Sequence, residues 1–244
     1  MVLIHTGPMR SASTWLEAIF LALAEELPLT VRPRGNDAYR AELRGGGLRD
    51  ACIYPGVFLP WAELEVERCR FPYRVLHVRR DPRDVLVSSY YSLKYSHVPC
   101  DDVRLWRPRL VALGEEDGLL RLMAEHLATH VGVMLSHLDK GPAEHCLPVQ
   151  FADLVREPLP HVRALLDSCG LALPEDRLGD LVEARSYGHF SGGRAPGVED
   201  VHAHFRKGVP GDWREKFTPR VADSFRVRFG AALVRLGYER TLDW

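Results

Sequence analysis

Between Ile4 and Leu16 the chain sets Arg10, Ser11, Ser13 and Thr14 close together, just after Gly7 and Pro8. One guanidinium, several hydroxyls and a glycine-bearing turn make a donor set suited to holding an anion. Val2, Leu3 and Ile4 precede it, and Leu16, Ile19, Phe20, Leu23 and Leu27 follow at helical spacing. The expected order is therefore strand, tight loop, helix. A helix begun this way points backbone N–H groups and its positive dipole end at whatever lies above the loop. The competing reading is an ordinary helix capped by a serine or threonine side chain.

Two further stretches have the same character. Arg79, Arg80 and Arg83 flank Pro82, a residue favoured at the first position of a helix, and Ser88 and Ser89 follow one to two turns later. Donors so spaced are able to converge on a single anion; a solvated charge cluster with Asp81 and Asp84 as partners is the alternative. Arg206, Lys207 and Gly208 offer two cations and a flexible backbone N–H to a phosphate. A surface loop that is merely basic would look the same.

The elements that must position these groups alternate between strand and helix. Ala51 to Tyr54, Tyr73 to Arg79 and Leu147 to Phe151 read as further strands, the second most firmly through Val75, Leu76 and Val78. Short helices are expected over Trp61 to Arg68, Leu159 to Ser168 and Glu175 to Arg185, and a longer one over Leu120 to Leu138. Pro219 to Leu236 reads as a closing helix. Pro28 to Asp50, rich in arginine and glycine, reads as a poorly packed loop, and Val98 to Gly118 shows no period. Ser186 to Gly211 reads as a loop ordered on binding. The implied fold class is α/β, with a central, mostly parallel sheet covered by helices on both faces.

The composition suits one globular domain over residues 1–244. A net charge of −1 removes the general positive excess that non-specific nucleic-acid binding requires, so any anion site is local. Cys52, Cys69, Cys100, Cys146 and Cys169 are widely spaced and form no zinc pattern, and a reduced, cytoplasmic setting fits. Trp15 to Ala24 is too short an apolar run to cross a bilayer, and no targeting segment is expected.

The loop is not the nucleotide-triphosphate P-loop, because Ala12-Ser13-Thr14 stands where that motif needs Gly-Lys-Ser/Thr. It resembles instead the 5′-phosphosulfate loop of sulfotransferases that use 3′-phosphoadenosine 5′-phosphosulfate (PAPS), of the type Pro-Lys-Ser-Gly-Thr-Thr-Trp. In that resemblance Arg10 takes the Lys/Arg place, Ser11, Ala12, Ser13 and Thr14 form the turn, and Trp15 is the tryptophan lying against adenine. Met9 is inserted after Pro8, and Ala12 replaces the usual glycine. The segment from Val78 to Tyr91 resembles the family's 3′-phosphate segment, with Arg80 and Ser88 on its two phosphate positions. Arg206, Lys207, Gly208, Gly211, Asp212 and Trp213 match an Arg-Lys-Gly-x-x-Gly-Asp-Trp segment that closes over the 3′-phosphate. Phe151 stands at an adenine-contacting tyrosine without its hydroxyl, and Ser186-Tyr187 is similar to a Ser-Phe pair packed on the adenine. The fold so implied is a P-loop-like three-layer fold, with a sheet of about five strands binding its ligand across the strand ends.

The resemblance implies metal-free sulfuryl transfer from PAPS to a hydroxyl or amine of a small-molecule acceptor, leaving adenosine 3′,5′-bisphosphate. Arg10 is the candidate for neutralising charge on the bridging oxygen, electrostatically rather than as a proton donor. The family's catalytic histidine lies in a Lys-Thr-His-Leu-Pro segment, but Ala51 to Pro60 contains neither its lysine nor its histidine. Glu42, His97 and His5 are the remaining candidates for the base. The missing histidine leaves a second expectation open, a non-catalytic module that holds adenosine bisphosphate. A dimer segment of the family is only faintly echoed at Arg214, Thr218, Pro219 and Asp223, so a monomer or weak homodimer is expected.

Overall fold

The computed structural model describes residues 1–244. Five strands, β1 (Val2–Thr6), β2 (Thr30–Val31), β3 (Cys52–Val57), β4 (Tyr73–Arg79) and β5 (Cys146–Gln150), form one sheet in the order β2-β3-β1-β4-β5. Every pairing is parallel. Val2 stands opposite Cys52 on one side and Tyr73 on the other, and Val75 to Arg79 align with Cys146 to Gln150. The helices are α1 (Ser13–Glu26), α2 (Asn36–Arg44), α3 (Pro82–Tyr91), α4 (Asp101–Val111), α5 (Glu115–Glu125), α6 (Leu127–Lys140), α7 (Phe151–Arg156), α8 (Pro158–Ser168), α9 (Glu175–Glu183), α10 (Tyr187–Phe190), α11 (Trp213–Lys216) and α12 (Pro219–Arg235). None is long and apolar enough to cross a membrane.

The chain divides into two compact units, Met1–Arg80 with Ser136–Ser186, and Asp81–Leu135 with Tyr187–Trp244. The first contains the sheet. Strand residues alternate between its faces: Leu3, Ile53, Leu76, Val78 and Val149 pack with α1, α8 and α9 through Leu16, Ile19, Phe20, Val162, Leu165, Leu178 and Val182. Val2, Ile4, Cys52, Tyr54 and Val75 pack on the other face with Tyr39 of α2, Leu64 and Val66. Both faces are thereby removed from water, as a parallel sheet requires. The second unit is helical, its core built from Val85, Leu86 and Tyr90 of α3, Trp106, Leu110, Leu119 and Leu122, and Val221, Phe225 and Leu233 of α12.

Several expectations about elements need correction. The stretch from Pro28 to Asp50 holds β2 and α2, whose only buried residue is Tyr39, too little apolar surface to give a period. The segment from Val98 to Gly118 contains α4 and the start of α5; Pro108 inside α4 breaks the pattern that would have announced it. The single long helix expected near Leu120 is two, α5 and α6, separated at His126, whose backbone leaves the helical region at φ −124. Trp61 to Arg68 forms two 3₁₀ turns rather than one helix.

Candidate functional site

In a parallel sheet the loops leaving the carboxyl ends of the strands share one edge, and ligands bind there where the strand order reverses. Here β1 lies between β3 and β4, so the reversal falls at the end of β1. That edge of the first unit receives the Gly7 to Ala12 loop after β1, Arg34 after β2, Arg79 and Arg80 at the end of β4, and Phe151 after β5.

The β1 loop owes its shape to backbone conformation. Gly7 has φ +154, and a Cβ there would stand 2.4 Å from the carbonyl oxygen of Val78, so only glycine lets the loop and β4 approach this closely. Arg10 and Ala12 are left-handed, with φ 70 and 64, on either side of Ser11. For residues bearing a Cβ this costs roughly 1–2 kcal/mol each, and successive turns of this kind can form an N–H-lined concavity for an anion. The Ser11 hydroxyl donates to the Pro8 carbonyl at 2.6 Å and is fully buried, so it fastens the turn from inside. No side chain caps α1 and no acidic residue lies in its first turn, which removes the ordinary capped-helix reading. This donor set, free of carboxylates at the helix start, fits a phosphate or sulfate group.

Arg80 is 8% exposed; it donates to the Arg10 carbonyl and lies over the Phe151 ring, 4.1 Å from its centroid. The structure thus brings Arg10, Arg80 and Phe151 together. Trp15 donates from Nε1 to the Arg185 carbonyl at 2.6 Å, which fixes its indole beside the chain just before Ser186. Ser186, half-buried, donates its backbone N–H to the Glu183 carbonyl at 3.0 Å. The hydroxyls of Ser13 and Thr14 both accept from Arg34, at 2.7 and 3.1 Å. Arg34 was not singled out in the sequence; the only signal was its place before Gly35 in an arginine-rich stretch.

In the second unit, Ser88 lies half-buried on α3, and Asp84 of the same helix accepts from the backbone N–H groups of Gly211 and Trp213 at 2.7 and 3.1 Å. That carboxylate ties the segment carrying Arg206, Lys207 and Gly208 to α3. Gly208 is left-handed at φ +71, and a Cβ there would stand 2.3 Å from the ring of Tyr187, so these two predicted site residues are in contact. Arg206 pairs with Glu199 and Asp212, and Lys207 with Asp212 at 2.7 Å and Glu215 at 2.6 Å. Burial opposes the Arg206 charge, but its hydrogen bonds and ion pairs with Asp212 and Glu199 outweigh this and raise its pKa. Asp212 is likewise disfavoured by burial, yet Lys207 and Arg206 hold its carboxyl below the usual range.

Arg83 corrects the expectation that three arginines converge on one anion. It is buried, pairs with Asp81 at 2.7 Å and Glu239 at 2.5 Å, and its guanidinium carbon lies 3.8 and 4.5 Å from the ring centroids of Trp213 and Trp244. Its role is structural.

Among the base candidates, Glu42 is held by Arg32 and, at 3.2 Å, by Arg49, which ties both its oxygens to the loop. His97, in the second unit, contacts the Val98 carbonyl through Nδ1 at 2.8 Å. His5 is fully buried, and desolvation, with a smaller push from Arg34, lowers its pKa to about 3. Its Nδ1 accepts the Gly56 N–H at 3.1 Å, so Nε2 carries the proton and has no lone pair for a base.

The sequence matches the family defined by the sulfotransferase domain over residues 58–237, about three quarters of its length, and the chain belongs to that family. The match starts after the β1 loop. No curated protein matches the sequence. Among solved structures, mouse sulfotransferase SULT7A1 complexed with PAP is 15% identical, with 99% of this chain and 86% of that one covered at a TM-score of 0.72. Retinol dehydratase in complex with androsterone and the inactive cofactor PAP is also 15% identical, over 95% and 80% of the two chains, with a TM-score of 0.64. A sulfotransferase from Alicyclobacillus acidocaldarius is 13% identical over 97% and 94%, with a TM-score of 0.52. At such identities the likeness is one of fold.

Proposed function

We propose that this transferase moves a sulfuryl group from PAPS to a hydroxyl or amine of a small-molecule acceptor, with residues 1–244 acting as one catalytic domain. The observation that carries the reading is the junction at the end of β1, where the uncapped α1 and its Arg10 loop meet the Arg80 guanidinium on the Arg10 carbonyl. Crystallisation of mouse SULT7A1 and retinol dehydratase with PAP supports an adenosine bisphosphate product. Retinol dehydratase with retinol and with androsterone supports a small acceptor.

In this proposal the donor supplies an activated sulfuryl group, and the protein binds, orients and neutralises. Arg10, with Ser11, Ala12, Ser13 and Thr14, takes the 5′-phosphosulfate; Arg80 and Ser88 take the 3′-phosphate; Trp15, Phe151, Ser186 and Tyr187 take the base; and Arg206, Lys207 and Gly208 cover the 3′ end. An arginine at position 10 stays charged and binds two oxygens, so it stabilises charge developing on the leaving oxygen. For the acceptor proton, His97 is favoured over Glu42, whose oxygens are engaged by Arg32 and Arg49.

The test is transfer of label from sulfur-labelled PAPS to a panel of phenols, alcohols and amines. Label should reach at least one acceptor class, and Arg10→Ala should lower the rate by about 100-fold or more, the scale for losing a group that stabilises transition-state charge. Tight nucleotide binding without transfer to any acceptor would favour the non-catalytic module instead.

A further inference from the structure

Arg34 occupies a position that none of the motifs predicts. It follows β2, the edge strand next to β3, and its backbone is strapped on both sides: Arg32 N–H donates to the Ile53 carbonyl at 2.8 Å and Gly35 N–H to the Pro55 carbonyl at 3.2 Å. Its side chain then runs across Gly56, where a Cβ would lie 2.9 Å from Arg34 Cγ and Nε, in a left-handed backbone at φ +65. The guanidinium ends over the first turn of α1, donating to Ser13 Oγ, Thr14 Oγ1 and, at 3.0 Å, Glu17.

Resting on the PAPS reading above, we infer that Arg34 is a second cation for the 5′-phosphosulfate end of the donor, delivered from β2 across Gly56 to the start of α1. Its present partners are two neutral hydroxyls and a partly exposed carboxylate, a type of pair that contributes little when solvent reaches it. An oxyanion at the α1 start offers two oxygens to a planar fork that matches them. Arg34's charge is also felt inside the sheet, where it adds to the lowering of the His5 pKa. In the transfer, the acceptor atom bonds to sulfur as the bond from sulfur to the bridging oxygen breaks. The electron pair stays on the 5′-phosphate, and the acceptor proton passes to a base. Arg34 faces the phosphate that gains that charge.

The experiment is calorimetry with two probes, adenosine 3′,5′-bisphosphate and adenosine 3′-monophosphate, which lacks the 5′ group. Arg34→Ala should weaken the bisphosphate about 10-fold or more, the scale of a lost charge-assisted contact, and leave the monophosphate within about 2-fold. Arg34→Lys should recover part of the loss. Equal loss on both probes, or none on either, overturns the inference. If Arg34→Ala melts too early to titrate, Glu17→Gln serves: freeing Arg34 from its carboxylate should tighten the bisphosphate alone, and unchanged or weaker binding overturns the inference. Failure of the unaltered chain to bind the bisphosphate overturns the donor reading itself, and Arg34's part with it.

Discussion

The guanidinium carbon of Arg80 lies over the ring of Phe151, 4.1 Å from its centroid, while one of its amino groups reaches the Arg10 carbonyl. The ring and the carbonyl together hold a cation at the end of β4, a pairing that suits an arginine better than a lysine because a guanidinium offers both a face and several N–H donors. Phe151→Ala should therefore weaken adenosine bisphosphate binding about 10-fold by releasing Arg80, with Phe151→Tyr close to the unaltered chain. Isothermal titration checks this; equal affinities for the alanine and tyrosine variants would contradict it.

The β1 loop makes opposite predictions at two neighbouring positions. Ala12→Gly relieves a left-handed alanine and should raise stability by about 0.5–1 kcal/mol, whereas Gly7→Ala drives a Cβ into the Val78 carbonyl and should lower it by about 2 kcal/mol or more. Urea unfolding separates the two. Destabilisation by Ala12→Gly would mean that the loop relaxes out of the left-handed conformation in solution.

Arg83 and Arg80 stand three residues apart and are put to different uses. Arg83 is buried with Asp81 and Glu239 and lies against the rings of Trp213 and Trp244, which meet edge to face. Arg83→Ala should cost about 3–5 kcal/mol, because it leaves carboxylates without their cation in a desolvated place. Denaturant midpoints read this directly, and a loss under about 1 kcal/mol would show the pair to be solvent-screened.

Buried histidines make stability depend on pH. His5, His130 and His137 have pKa values driven down to about 3, about 3 and about 4, by burial first in every case. Well above pH 6.5 each is neutral whether folded or not. Below it the unfolded chain takes up protons that the folded chain refuses, so stability falls as pH drops from 6.5 towards 4. Near pH 5 each histidine contributes a loss of about 2 kcal/mol. Thermal melts between neutral pH and pH 5 should show a steep fall in midpoint, and a flat profile would place these rings in water.

The parts of the fold legible in the sequence are those with enough buried apolar residues to set a period. β4 was readable through Val75, Leu76 and Val78, and α12 through Pro219 at its start and its buried residues Val221, Phe225 and Leu233. α2 buries Tyr39 alone, and α4 carries an internal proline, so local pattern gave no sign of either. At the site, residue types were legible and side-chain directions were not. Ser11 turns inward to Pro8, and Ser13 and Thr14 turn to Arg34, because the backbone at Arg10 and Ala12 is left-handed where no glycine announces it. Arg83's partners Glu239 and Trp244 lie at the far end of the chain, beyond the reach of any motif.

The central claim is that the Arg10 loop grips the 5′ end of one adenine nucleotide and Arg80 its 3′ end. Phosphorus NMR of adenosine 3′,5′-bisphosphate resolves the two phosphates in a single sample. The account predicts that both resonances shift on binding, that Arg10→Ala removes the shift at the 5′-phosphate, and that Arg80→Lys removes it at the 3′-phosphate. Loss of the same resonance shift in both variants, or no shift with the unaltered chain, would contradict it.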